Sequence, residues 1–335
     1  MRSQMTPRIH GIVFSYNRAM QLDATLRSFY LHCMDESLIH LTVLFKADTQ
    51  CHIRQYQTLM KDYQNVTFYS EKNFQRDPLR ILTADLFNPF TSVLLQGISY
   101  LVNTQHIRVL LFRRVIDSLV HYMQKRIASR KPLATDTSYI LFLVDDIIFV
   151  RDYSISEAIT ALESQPEALG FSLRLGKNAT YCYTRDHHQT LPAFMQINEK
   201  VLSFTWRDAD CDFGYPLEVS SSVYRASMIC PLVASLRFQQ PNKLESKMAT
   251  CSRLFWDTYP RLLCFMTSVT FCDPINKVQK IIPNRTGSSA AYTVDNMAER
   301  FETGARIDVK ALDGFVPNGC HQEVDISLRE IQNVE

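Results

Sequence analysis

Three short apolar runs open the chain: IHGIVF (9–14), LTVLFKA (41–47) and VTFYS (66–70). Two segments with helical periodicity separate them. In the first, Leu22, Leu26, Phe29 and Tyr30 share one face, and the second is HIRQYQTLMKDY (52–63). Strand, helix, strand, helix, strand at this spacing calls for parallel pairing, because each parallel connection needs a helix that crosses over the sheet. A fourth run, YILFLV (139–144), is apolar at every position, as a central strand covered on both faces must be. The expected fold is therefore α/β, a Rossmann-like, mostly parallel sheet flanked by helices. Open sheets of this kind bind ligands beyond the carboxyl ends of their strands. Tyr16, Asn17, Arg18, Asp48, Asp145 and Asp146 all fall at such ends.

The fourth run carries an anomaly. YILFLVDDIIFV (139–150) sets two adjacent acids between apolar residues on both sides. An ionised carboxylate in apolar surroundings is costly unless a cation or several hydrogen bonds compensate it. A helix cap at Asp146 is one reading, but IIFV does not read as a first helical turn. A strand that stops at Val144 and leaves the pair in solvent is another. The third is a strand end that presents carboxylates to a positive group, a divalent metal above all.

At 335 residues, 46% hydrophobic and 21% charged, the chain can bury a real core in one large domain or two small ones. The formal net charge of +2 argues against a nucleic-acid coat. Nine cysteines without a CxxC pair or regular spacing fit a reducing compartment better than a disulfide framework. Residues 1–8 are polar and run into a strand, so no signal peptide is expected. No apolar run approaches the roughly 20 residues of a spanning helix. The N-x-S/T matches at Asn65, Asn178 and Asn284 then carry little weight, and a cytoplasmic location is expected.

A long, mostly helical stretch lies between the third strand and the acid pair. Phe112, Ile116, Leu119, Met123 and Ile127 form one stripe there. Segment 106–131 holds Arg108, Arg113, Arg114, Lys125, Arg126, Arg130 and Lys131 against a single acid, Asp117. It reads either as a core-facing stripe with a solvated basic face or as a surface for anionic lipid or a phosphate-bearing acceptor. Further on come strands at 168–175 and 200–206, an acidic cluster at Asp208, Asp210 and Asp212, and helices near 226–236 and 241–249. The acidic cluster is not an EF-hand loop, because Phe213 stands where the glycine is required. No internal repeat and no low-complexity linker is evident.

With these residues in place the chain resembles a glycosyltransferase of the GT-A fold. The strand ending in SYNR before a helix is similar to the family-two type, and the strand ending in Asp145-Asp146 resembles the family's DxD position, with Ile147 at the third place. DFGYPLEVSSSVYR (212–225), INKVQ with the later NR (275–285) and CHQE (320–323) resemble bacterial cell-surface polysaccharide glycosyltransferases. The resemblance implies a GT-A catalytic domain over 1–275 with a helical insertion at about 78–132, and a C-terminal extension, 276–335, that packs on the active site. It implies a hexosyltransferase-type enzyme that moves sugar from a UDP- or GDP-linked donor to a glycan or lipid-linked acceptor, inverting and metal-dependent, with peripheral membrane contact and no nucleic-acid partner. A cation, Mn²⁺ or Mg²⁺, neutralises the diphosphate leaving group in such chemistry.

Roles follow by position. Adjacent strand residues point to opposite sides, so Asp145 is assigned to the nucleoside and Asp146 to the metal, with His321 completing the metal site from the tail. Tyr16 is expected to pack on the base, Arg18 to reach a phosphate and Asp48 to accept from a base N–H, with Asn17 among the donor-binding residues. An inverting transfer needs a carboxylate to take the acceptor proton. Glu245 is the candidate base, although Asn242-x-x-Glu245 reads equally as a capping box. Asp212 is a second catalytic candidate, and Trp206 is a candidate platform for a sugar ring. Two other readings compete. A sugar nucleotidyltransferase would carry a glycine-rich basic loop after the first strand, where SYNR has no glycine. A non-catalytic scaffold has less use for a retained acid pair.

Overall fold

The computed structural model describes residues 8–104, 113–132, 137–276 and 292–330. The strands are β1 (Arg8–Tyr16), β2 (Ile39–Lys46), β3 (Thr67–Ser70), β4 (Ser138–Val144), β5 (Ile147–Phe149), β6 (Ala168–Ser172), β7 (Tyr181–Cys182), β8 (His187–His188), β9 (Phe194–Gln196), β10 (Val201–Thr205), β11 (Ser222–Arg225), β12 (Arg261–Phe265), β13 (Thr270–Cys272), β14 (Ala305–Ile307) and β15 (Leu328–Glu330). The helices are α1 (Ala19–His32), α2 (Gln50–Asp62), α3 (Asp77–Leu86), α4 (Pro89–Asn103), α5 (Arg113–Ser129), α6 (Ile155–Ser164), α7 (Ala226–Ala234), α8 (Pro241–Cys251) and α9 (Val294–Glu302).

Nine strands form the central sheet in the order β3-β2-β1-β4-β11-β6-β12-β10-β9. The first four pair in parallel, and only β10 and β11 run against the other seven. The α/β sheet flanked by helices is thus as the apolar runs imply. Register explains why. Along β1 the burial is continuous from Ile9 to Ser15, and β4 is buried from Tyr139 to Leu143, so both strands need cover on both faces. Helices α1 and α6 supply it on one side, with Leu22, Leu26, Phe29, Ile155, Ile159 and Leu162 in one core. Helices α3, α7 and α8 supply it on the other, with Leu79, Leu82, Ile229, Leu232 and Leu244.

The described residues between β3 and β4 are mostly helical, as expected. Of the stripe placed there, Phe112 lies outside the described residues, as does Arg108. The face of α5 turned inward carries Ile116, Val120, Met123 and Ile127, whereas Leu119 is 57% exposed beside Val115 and Tyr122. Helix α4 likewise exposes Phe90, Val93, Leu94 and Leu101. These positions, at i, i+3, i+4 and i+11, make one apolar stripe toward solvent.

Candidate functional site

Strand β1 leads to β2 on one side, and the chain later returns to β4 on the other. The order therefore reverses between β1 and β4, and the crevice beyond their carboxyl ends is the topological switch point where open sheets bind ligands. The sequence places SYNR on one lip and Asp145-Asp146 on the other.

Asp145 is 2% exposed. Its backbone N–H extends the ladder to Phe14 O at 3.1 Å, while its Oδ2 accepts from the Tyr16 N–H at 3.1 Å. The guanidinium of Arg18 pairs with Asp145 Oδ1 and, at 3.1 Å, with Asp146 Oδ2. Burial pushes the Asp145 carboxyl above its ordinary value, and Arg18 opposes that push without cancelling it. Arg18 itself is penalised by burial, yet the two carboxylates hold it firmly protonated. The acids inside the apolar run are thus compensated by a cation that the same loop supplies.

The rest of the loop is locked to β2. Asn17 adopts φ 55°, the left-handed region that asparagine tolerates, and its N–H donates to Lys46 O at 3.1 Å. Its side chain exchanges two hydrogen bonds with Asp48, Nδ2 to Oδ2 at 3.2 Å and Asp48 N to Oδ1 at 2.9 Å. The Tyr16 hydroxyl also donates to Asp48, which holds that carboxyl below its usual value and pushes the phenol up to about 12. Beneath the loop, the buried Tyr56 hydroxyl accepts from Arg18 N at 3.3 Å and bonds Ser15 Oγ at 2.6 Å. Tyr16, Asn17, Arg18, Asp48, Asp145 and Asp146 are therefore brought together at one strand-end crevice.

Asp146 faces a second layer. Its carbonyl accepts from Asp273 N at 2.8 Å, just beyond β13, which pairs antiparallel with β5. The tail lies on the other side of β13. Cys272 bridges His321 in parallel, with Cys272 N to Cys320 O at 2.9 Å and Gln322 N to Cys272 O at 3.0 Å. His321 is thus one backbone further out from Asp146. Its Nδ1 is buried without a hydrogen-bond partner, as is Asp273 Oδ2. Burial lowers His321 to about 3 and raises Asp273 to about 8.

Beyond β6 stands Arg174, 5% exposed and 3.6 Å from Glu218 Oε2. Glu218 is 2% exposed and accepts from the N–H groups of Ser220 and Ser221 and the Ser222 hydroxyl. Glu245 accepts from Val219 N at 3.0 Å. Its carboxyl is raised by burial, lowered in part by Arg174 and raised again by Glu218. Asp212 accepts from Gln189 Nε2 at 3.4 Å and is likewise raised by burial against Arg174. Arg174 thus gathers Glu218, Glu245 and Asp212 around one charge.

Two expectations are corrected here. The capping box does not form: α8 starts at Pro241 after Gln240, so Asn242 is inside the first turn and Glu245 turns to Val219 instead. Trp206 is 2% exposed and donates Nε1–H to Tyr259 O at 2.7 Å, so it is a core residue and not a platform for sugar. Arg174, Glu218 and Asp273 were not foreseen. The segment INKVQ to NR lies, from Lys277 onward, outside the described residues.

Among the described residues, Asp146 and His321 belong to no set of three or more metal-ligating side chains at ligand spacing; His10, His40 and Asp85 do form one, at the opposite end of the sheet. No helix among them is long and apolar enough to cross a membrane.

No family model matches the chain. It is 25% identical over 306 residues to the bifunctional glycosyltransferase pgtA of Dictyostelium discoideum, a match that covers 82% of this chain and 33% of the relative. The chain therefore spans about a third of that relative's length. Among solved structures, it is similar to S. aureus TarS (residues 1–349), with TM-score 0.41 and 10% identity over 81% of this chain and 61% of that one. It is also similar to the mannosyltransferase PcManGT of Pyrobaculum calidifontis in complex with GDP-Man and Mn²⁺, with TM-score 0.28 and 11% identity over 52% of this chain and 37% of that one.

Proposed function

We propose that the chain is a glycosyltransferase of the GT-A type, which takes sugar from a UDP- or GDP-linked donor and passes it with inversion to a glycan or lipid-linked hydroxyl. The observation that carries the reading is the crevice between β1 and β4, where an acid pair with Asp145 buried and Asp146 partly exposed, a guanidinium and a tyrosine line a switch point. The similarity to a protein named as a glycosyltransferase supports it. In this reading Asp145 and the Tyr16–Asp48 pair face the nucleoside, while Asn17 and Arg18 face the diphosphate.

A divalent cation, Mn²⁺ or Mg²⁺, fits beside Asp146. Asp146 supplies the carboxylate there, and Asp273 Oδ2 and His321 Nδ1, buried without partners, stand in the layer behind it rather than at ligand spacing with it. So few protein donors suit a cation whose remaining ligands are phosphate oxygens and water. Bound there, it would neutralise the leaving diphosphate. Glu245, raised by burial toward the working pH, is the proposed acceptor base, and Asp212 is proposed to orient the acceptor. The extension from residue 276 would close the site through His321.

The exposed stripes of α4 and α5 add a lipid surface to the reading. Phe90, Val93, Leu94, Val115, Leu119 and Tyr122 stand in solvent, flanked by exposed Arg114, Lys125, Arg126 and Arg130. Apolar residues next to basic ones match an anionic bilayer, where a lipid-linked acceptor would be held. Nine free cysteines agree with the cytoplasmic side.

The test is a thermal-shift and product-release panel of UDP-, GDP- and CMP-sugars with and without Mn²⁺. One nucleotide class should stabilise the chain, more so with Mn²⁺, and Asp146→Asn should lose the metal-dependent part. No stabilisation by any nucleotide would reject the reading.

A further inference from the structure

At the amino end of the sheet, six residues and about 20 Å along β1 from Tyr16, His10 and His40 stand opposite each other in the β1–β2 register. Helix α3 brings Asp85 over them. The two imidazoles are arranged alike. His10 Nε2 meets Thr42 Oγ1 at 3.1 Å and His40 Nε2 meets Thr67 Oγ1 at 3.2 Å. Both Nδ1 atoms turn to one carboxylate oxygen, Asp85 Oδ2, at 3.2 Å from His10 and 2.8 Å from His40. The three inner atoms lie within 4.8 Å of one another.

Hydrogen bonding does not account for the whole arrangement. His10 is 1% exposed, and its Nδ1 has no hydrogen-bond partner despite its closeness to Asp85. A buried ring nitrogen 3.2 Å from a carboxylate oxygen that a second imidazole also meets is placed where a shared ion can sit. Metal-bound histidines commonly donate their other ring N–H to an oxygen that fixes the tautomer, and Thr42 and Thr67 are so placed. For a tetrahedral ion with bonds of about 2.0–2.1 Å, neighbouring ligand atoms are roughly 3.3 Å apart. The His10–Asp85 separation of 3.2 Å matches that edge, and the 2.8 Å His40–Asp85 contact is a hydrogen bond that a bound ion would replace with a slightly longer separation.

The geometry points to a transition-metal site of the zinc class, formed by His10 Nδ1, His40 Nδ1 and Asp85 Oδ2, separate from the strand-end crevice. Two imidazoles and one carboxylate favour Zn²⁺, Co²⁺ or Ni²⁺ over Mg²⁺, which prefers oxygen ligands throughout. With His40 and Asp85 half exposed, the fourth position opens to water. Three protein ligands and one open position are a site able to bind a small anion or a partner's side chain. It would also clasp α3 to the sheet.

The test titrates the full chain, freed of metal by chelation, with Co²⁺ and then Zn²⁺. One equivalent of Co²⁺ should give the visible bands of a four- or five-coordinate ion without thiolate charge transfer, and Zn²⁺ should displace it where Mg²⁺ in excess does not. His40→Ala and Asp85→Asn, both at half-exposed positions that the fold tolerates, should abolish the bands. Thr42→Val should weaken binding about 10- to 100-fold. The thiols of Cys182 and Cys211, near His187, are the control, and Cys211→Ser should leave the bands intact. Bands that survive His40→Ala, bands lost in Cys211→Ser, or no binding at millimolar Co²⁺ would each overturn the assignment. None of these outcomes depends on nucleotide binding, so the site and the proposed transferase activity stand or fall separately.

Discussion

Arg18→Met is the perturbation that tests how the chain tolerates an acid pair in its core. Methionine keeps most of the apolar stem but removes the guanidinium between Asp145 and Asp146. At about 3 Å and an effective dielectric constant of ~20, each pair carries on the order of 5 kcal/mol of Coulomb attraction. Desolvation of the buried ions returns much of this, and removing one partner of a buried pair costs about 3–5 kcal/mol in practice. The pH dependence has a definite sign. Asp145 already sits above its unfolded value through burial, and without Arg18 it moves higher. A carboxyl raised on folding binds more protons in the folded state, so stability falls as pH rises from the unfolded value through the folded one. The loss should therefore be largest near pH 8 and shrink toward pH 5. Urea unfolding followed by tryptophan fluorescence, with Trp206 in the core, measures it. Adding Asp145→Asn should recover most of the loss at pH 8, since the amide needs no counter-charge. A change of less than about 1 kcal/mol at pH 8, or a loss that grows toward acid pH, would refute this account of the pair.

Two further substitutions separate roles. Glu245→Gln should change unfolding little, because the amide oxygen can still accept from Val219 N and Arg174 keeps Glu218, while lowering turnover on the order of 10² to 10⁴ if Glu245 is the acceptor base. Its burial also places the acid limb of the parent's pH–rate profile above the ordinary carboxylate range, and that limb should vanish in the variant. Val93→Asp with Leu94→Asp should remove binding to anionic liposomes while soluble turnover persists, and the parent's binding should weaken steeply with salt. Equal sedimentation of variant and parent would return α4 to an ordinary exposed helix.

The parallel half of the fold was legible because local signals suffice for it. Period, length and crossover each point to β1–β4, and the structure differs from the apolar runs by only a residue or two at their ends. The antiparallel half depends on pairings distant in sequence. RLLCF and TFC are apolar runs of five and three residues, too short to read as strands even beside Pro260 and Asp273-Pro274, and only their neighbours β6, β10 and β5 make them strands. Within the site, Arg174 in FSLRLG and Asp273 in VTFCDP carry the same mark as Asp145-Asp146, a charge set in an apolar run, and were open to the same reasoning. Glu218 was not, because PLEVSSS reads as a polar loop and the partners that stabilise it are backbone N–H groups. Trp206 misled in the opposite way: an aromatic beside an acidic loop suggested a sugar platform, and a tertiary bond to Tyr259 O took it into the core. His10 and His40 became a pair only once the register was known.

The charge balance at the crevice yields one more expectation, resting on the proposed function. Asp145 and Asp146 carry two negative charges against the single charge of Arg18. A nucleoside diphosphate would bring two or more further negative charges to the same lip, where partial burial weakens screening by salt. Arg18 cannot serve the acids and the diphosphate together, so nucleotide bound alone must either displace it from the acids or remain near their field. A divalent cation beside Asp146 removes that conflict, and the two ligands should then bind with positive coupling. By linkage the coupling is reciprocal, so each should raise the other's affinity by the same factor, about 5- to 150-fold for couplings of ordinary size. Calorimetric titration of UDP or GDP at saturating and at zero Mn²⁺, and of Mn²⁺ with and without nucleotide, measures both sides. In Arg18→Met the nucleotide-free affinity for Mn²⁺ should rise, because both carboxylates are then uncompensated, and the coupling should shrink. Independent binding of the two in the parent would mean that Arg18 already satisfies the acids and the diphosphate, and that the transfer proceeds without metal at this lip.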